Sequence, residues 1–89
     1  MGGSDELLKQ VKHAARFGRV VPAKHARERM AERGVFPADV EKAIATATRA
    51  IEQPEDGTIR LEGGVDVDGQ VVKVVVALDQ RGLRLVTVM

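Results

Sequence analysis

The chain has 89 residues, no cysteine, two aromatic residues and a formal net charge of +1, which bounds it to one modest core and excludes a disulfide framework or a thiolate metal site. Its longest apolar run, Val74 to Leu78, is far too short to cross a bilayer, and the polar start lacks the apolar stretch of a secretory signal, so a cytoplasmic protein with no membrane association is expected. Charge is unevenly spread, with ten basic against six acidic residues through residue 50 and four against seven beyond it; either the basic half meets a polyanion or these are ordinary solvated helix faces.

Residues 1–4 read as a flexible lead. Ser4, followed by Asp5 and Glu6, is a helix start with acids in its first turn. Leu7, Leu8, Val11, Ala14 and Ala15 then form one apolar stripe that ends near Gly18. Val20-Val21-Pro22 is a short extended link, because residues before proline avoid the helical region. A second helix runs from about Ala23 to Gly34, a residue suited to the left-handed conformation that closes helices. Pro37 fits the first position of a third helix, whose Val40, Ala43, Ile44 and Ala47 line one face, while Phe36 is expected to tuck into the core as part of a hydrophobic staple.

Thr48 to Gln53 reads equally as a fraying helix end or a short strand, and Pro54-Glu55-Asp56-Gly57 is a turn. Beyond it the pattern alternates with period two, giving strands at about 58–67, 70–78 and 83–88, with Gly63-Gly64 as a bulge or break and Asp68-Gly69 as a two-residue hairpin loop. The expected register sets Val65 against Val72, Val74 against Thr87, Val76 against Leu85 and Leu78 against Leu83, which turns Thr87 toward the helices. The opposite face then carries Val71, Val75, Ala77, Val86 and Val88 among Asp66, Lys73 and Arg84; it is either a partner-covered surface or valines placed by strand propensity alone. The predicted architecture is a single α+β domain over 1–89, with a helical half at 5–47 packed on one face of a small antiparallel strand meander at 57–89.

The stretch His25-Ala26-Arg27-Glu28-Arg29-Met30-Ala31-Glu32-Arg33-Gly34 carries the most function-like pattern. His25, Arg29 and Arg33 step down one side of a helix at i, i+4 and i+8, beside Ala26 and Met30, which face a core. A histidine that takes a ribose 2′-hydroxyl proton, with two guanidinium groups holding the phosphate, supplies the parts of a metal-independent phosphodiester cleavage. The structural alternative is a histidine capping a buried turn, with Arg29 and Arg33 paired to Glu28, Glu32 or acids on the sheet. His13 stands remote from His25, so no zinc site is expected; no Gly-x-x-x-x-Gly-Lys-Ser/Thr loop, calcium loop or nucleophile triad is present, and no metal or cofactor is implied.

The block H-A-R-E-R-M-A-E-R-G-V at 25–35, the D-V-E-K-A-I helix at 39–44 and the final L-V-T-V at 85–88 resemble a small prokaryotic family filed as domain of unknown function 4258. That family is related to RelE/ParE-like toxins and the wider barnase–EndoU–colicin–RelE ribonuclease fold, which also places helices before a small antiparallel sheet. The resemblance implies that His25, Arg29 and Arg33 are signature positions and that Thr87 matches a polar position on the last strand. It further implies a toxin-like, bacterial ribonuclease or RNA-binding domain, with RNA as a partner and a cognate antitoxin or immunity protein as another. Where the family has a small polar cap after the Arg-Gly, this chain has Phe36-Pro37.

Three functions follow as expectations. The first is a metal-independent ribonuclease or RNA-binding domain with His25, Arg29, Arg33 and Thr87 as catalytic candidates and Arg27, Arg60, Lys73 and Arg84 as electrostatic substrate contacts. The second is a non-enzymatic interaction module, a homodimer or partner binder using the valine-rich sheet face. The third is nonspecific nucleic-acid binding through Lys9, Lys12, Arg16, Arg19, Lys24 and Arg27.

Overall fold

A computed structural model of the chain describes residues 2–89, with side chains from Asp5 onward. The backbone is helical from Gly2, so α1 spans Gly2–Phe17, and the rest of the lead expected over residues 1–4 lies outside the described residues. There follow β1 (Arg19–Pro22), α2 (Lys24–Arg33), α3 (Pro37–Thr46), β2 (Arg49–Gln53), β3 (Thr58–Glu62), β4 (Val74–Asp79) and β5 (Gly82–Val88). The class is α+β, as the sequence leads one to expect.

The five strands form one sheet in the order β1-β5-β4-β3-β2. From β2 to β5 it is the antiparallel meander of the sequence pattern, but β1 joins β5 in parallel, with Arg19 opposite Gly82 and Pro22 opposite Leu85, so the sheet is mixed. The extended link at 20–22 is therefore an edge strand, and Arg49–Gln53 resolves as strand rather than helix end. Pro22 closes β1, the edge position where a missing backbone donor costs least.

Helix ends follow from local chemistry. Gly34 takes φ 65, and the Val35 N–H donates to the Met30 carbonyl at 2.9 Å, which closes α2 as its glycine suggests. At the start of α3 the Asp39 carboxylate accepts the Phe36 N–H at 2.9 Å, and its second oxygen accepts the Val67 N–H at 3.2 Å. Phe36 does not tuck into the core; it is 67% exposed. The staple position is the residue before the N-cap, which here is Val35, packed against the core that holds Val40.

Two glycines divide the expected 58–67 strand. Gly63 takes φ 83, and a Cβ on Gly64 would overlap the Ala43 carbonyl of α3, so β3 stops at Glu62 and the chain passes tightly under the helix. The next loop is longer than two residues. Val65 stands opposite Val71, not Val72, because the Asp66 carboxylate accepts the N–H groups of Asp68 and Gln70 and stretches the turn.

Between β4 and β5 the pairs Val76–Leu85 and Leu78–Leu83 stand as expected, but the register slips between Val75 and Val76. Val86 is the extra residue, and beyond it Val75 pairs with Thr87 and Val74 with Val88. Thr87 is thereby moved off the helix-facing side, and Val88 takes that place with no exposed surface. Val11 of α1, Ala26 and Met30 of α2 and Val40 and Ile44 of α3 all enter one core with Leu61, Val74, Val76, Leu83, Leu85 and Val88. All three helices thus cover one sheet face and leave the other open.

Candidate functional site

Helix α2 starts directly after the edge strand. The Ala23 N–H donates to the Leu85 carbonyl at 2.9 Å, which sets the start of the helix beside the second half of β5. Ala23 gives no side-chain cap and the first turn holds no acid. The N–H groups of that turn therefore point outward as a partial positive charge, next to Lys24, His25 and Arg27.

Burial of Ala26 and Met30 orients the rest. His25 and Arg33 are exposed and Arg29 is half-buried, as expected for a line along the edge of the buried stripe. The neutralising pairs of the structural alternative are nearly absent among the described residues: Arg29 reaches Glu32 at 4.0 Å, and His25, Arg27 and Arg33 have no ion pair or side-chain hydrogen bond. A pair that long and that exposed contributes little. The Arg29 Nε is enclosed by protein and donates to no acceptor among the described residues.

The structure does not bring all the sequence-derived candidates together. Thr87 lies on the open sheet face, with its hydroxyl donating to the Val88 carbonyl at 3.3 Å, while α2 packs on the other face. The Ala23–Leu85 bond joins residues two positions before His25 and Thr87, but the sheet separates those two side chains and no hydrogen bond joins them among the described residues. Arg60 and Arg84 also lie on the open face, Lys73 precedes β4 and is exposed, and Arg27 stays with α2.

On that face one cross-strand row reads Ile51, Arg60, Val75, Thr87. Glu62 gathers two arginines, taking a hydrogen bond from Arg49 at 3.4 Å and standing 3.1 Å from the Arg60 Nε, which is too poorly aligned to donate. Arg84 is exposed with no charged partner among the described residues. Arg49 and Glu62 escape a sequence reading that leaves 48–53 unassigned; pairing it as a strand with 58–62 would have set them opposite each other. The expected valine-rich surface is much reduced. Val75 and Ala77 are buried, Val88 belongs to the core, and only Val71 of that set is widely exposed.

No group of three or more His, Asp or Glu side chains gathers among the described residues, and no helix there is long and apolar enough to cross a membrane. Residues 23–89 match the family model described as "Domain of unknown function (DUF4258)". No curated protein and no solved structure matches the chain.

Proposed function

The chain belongs to the DUF4258 family, and we propose that it is an RNA-binding domain of the metal-independent ribonuclease type, working through α2. The observation that carries this is the state of the cations on that helix. His25, Arg27 and Arg33 stand unpaired among the described residues, and Arg29 holds an enclosed Nε with no acceptor. On α2 Glu28 stands one turn from His25 and Glu32 one turn from Arg29, yet only the second pair forms, at 4.0 Å, and Arg27 and Arg33 have no acid one turn away on the helix. The sequence resemblance to RelE/ParE-like toxins supports the same chemistry.

In this proposal the His25 imidazole takes the proton of a ribose 2′-hydroxyl, and the 2′-oxygen attacks the adjacent phosphorus. The bond from phosphorus to the 5′-oxygen breaks, the leaving oxygen takes a proton, and a 2′,3′-cyclic phosphate and a 5′-hydroxyl end result. Arg29 and Arg33 hold the non-bridging oxygens, where planar forked donors match phosphate geometry. Arg27 adds positive charge on α2, and Lys73, Arg60 and Arg84 attract the RNA backbone more generally, with Thr87 beside Arg60 and Arg84 on the open face. A bacterial setting and a neutralising partner protein are what the same resemblance implies.

The test is RNA binding across a salt series. Affinity falling steeply with salt, with a shallower slope in Arg29→Ala and Arg33→Ala, supports the proposal, because each lost phosphate contact lowers the slope by about one. Salt-independent binding, or none, contradicts it. The interaction module using the valine-rich face draws less support, since Val75, Ala77 and Val88 are buried within the chain itself.

A further inference from the structure

Val75 and Ala77 on the open sheet face are only 8% and 6% exposed, yet neither belongs to the core beneath the helices. Their cover comes from the neighbouring strands. Val75 stands between Arg60 and Thr87, and Ala77 stands opposite Arg84, which in turn faces Val21 of β1. The Arg60 side chain is 33% exposed with its Nε enclosed, so its arm lies along the sheet instead of standing in solvent. Long cationic side chains bury their stems on apolar surface in this way and keep the charged head in water.

These heads carry an excess of positive charge. Arg49 and Arg60 share the single carboxylate of Glu62. Arg84 and Lys73 have no charged partner among the described residues, and Lys73 extends the same ladder, since its carbonyl accepts the Met89 N–H at 2.8 Å. Asp79 is engaged at the hairpin between β4 and β5, where its carboxylate accepts the Arg81 N–H at 2.8 Å. Strand spacing and rise set the Arg60 and Arg84 Cα atoms roughly 12 Å apart, with Thr87 completing the Arg60 row.

We infer that this face binds the backbone of double-stranded RNA without reading its sequence. The inference rests on the reading of the chain as an RNA-binding domain and names a second RNA surface, across the sheet from α2. Charge sets the class of ligand, because Arg49, Arg60, Lys73 and Arg84 against Glu62 and Asp79 complement a polyanion. The lack of a ring sets its form. Both aromatic residues, Phe17 and Phe36, lie in the helical half, so this face has no aromatic platform for the bases of an unpaired strand, whereas a duplex keeps its bases stacked and presents phosphates and 2′-hydroxyls. Two arginines at this spacing suit the two backbones that border the wide, shallow minor groove of A-form RNA. An acidic protein fits less well, since Val75 and Ala77 lie beneath the arginines and offer no exposed apolar anchor.

The experiment uses the full chain and 2′-O-methyl RNA, which lacks the nucleophile of strand cleavage, so binding is read apart from chemistry. Fluorescence anisotropy compares two duplexes of unrelated sequence, each about 16 base pairs long, with their separate strands, and polyglutamate serves as competitor. The two duplexes are expected to bind within about twofold of each other. The double variant Arg60→Met with Arg84→Met keeps the stems over Val75 and Ala77, and circular dichroism confirms its fold; it should weaken duplex binding at least about tenfold and single-strand binding by less. Arg29→Ala with Arg33→Ala should show the opposite selectivity. No duplex binding, affinity that depends on duplex sequence, equal losses for duplex and strand in the Arg60 and Arg84 variant, or displacement of the duplex by polyglutamate at equal charge concentration would overturn the inference. Duplex binding without single-strand binding would remove the reading of α2 and leave this one standing, whereas single-strand binding that depends on Arg29 and Arg33, with no duplex bound, would overturn this one alone.

Discussion

Val75 pairs with Thr87 across β4 and β5, and the register slip just beyond that pair turns Thr87 onto the sheet face that no helix covers while Val88 fills the core. A single extra residue, Val86, thus decides which of two neighbouring side chains is structural. Val88→Ala is expected to cost about 2 kcal/mol, from lost burial and the cavity left behind. Thr87→Val should change stability by less than about 0.5 kcal/mol, as for other surface positions. Urea denaturation of both variants checks the pair; the reverse ranking would mean that the strands alternate without a bulge.

Close packing of the chain against α3 gives a second prediction. A methyl group on Gly64 meets the Ala43 carbonyl, whereas one on Gly69 meets nothing within 4 Å and is opposed only by its φ of 85. Gly64→Ala should therefore destabilise by about 1–3 kcal/mol through forced backbone movement, and Gly69→Ala by roughly 1 kcal/mol. Thermal unfolding with a larger loss at Gly69 would contradict the tight passage under the helix.

Asp39 ties two segments with one carboxylate, accepting from Phe36 at the start of α3 and from Val67 in the loop beyond β3. Asp39→Ala leaves both donors without that partner and is expected to cost about 1–3 kcal/mol. Hydrogen exchange should accelerate at Phe36 and Val67 together. Acceleration at only one of them would show that the carboxylate serves a single segment.

The helices were largely legible because each carries its own signals: the apolar stripe of α1, Gly34 after α2, and Pro37 with Asp39 at α3. The sheet was legible only where alternation ran uninterrupted. The slip at Val86 leaves no mark in composition, since valine suits either face, and it reversed the expected side of Thr87 and Val88. Strand β1 was hidden for another reason. Four residues ending in proline look like a link until a parallel neighbour, β5, is known to lie beside them. The line of His25, Arg29 and Arg33 was readable from helical spacing, but its separation from Thr87 by the sheet depends on that non-local pairing.

Glu62 offers a gain-of-function test. It draws Arg49 and Arg60 onto one carboxylate in the open face, so Glu62→Gln should release both and strengthen RNA binding, with a steeper salt dependence. Arg84→Ala should weaken binding and lower the salt slope by about one. Filter binding across a salt series measures both; an unchanged slope in the two variants would remove the open face from the RNA path.

The assignment of chemistry to α2 is tested most directly by incubating the purified protein with a mixed RNA pool in the presence of a metal chelator, beside folded His25→Ala and Arg29→Ala variants. Fragments with cyclic phosphate ends from the wild type, reduced at least about a hundredfold in His25→Ala and strongly in Arg29→Ala, are the expected result. Equal cleavage by wild type and His25→Ala, or fragments that appear in none of the three proteins, would contradict His25 as the base of a free-standing ribonuclease.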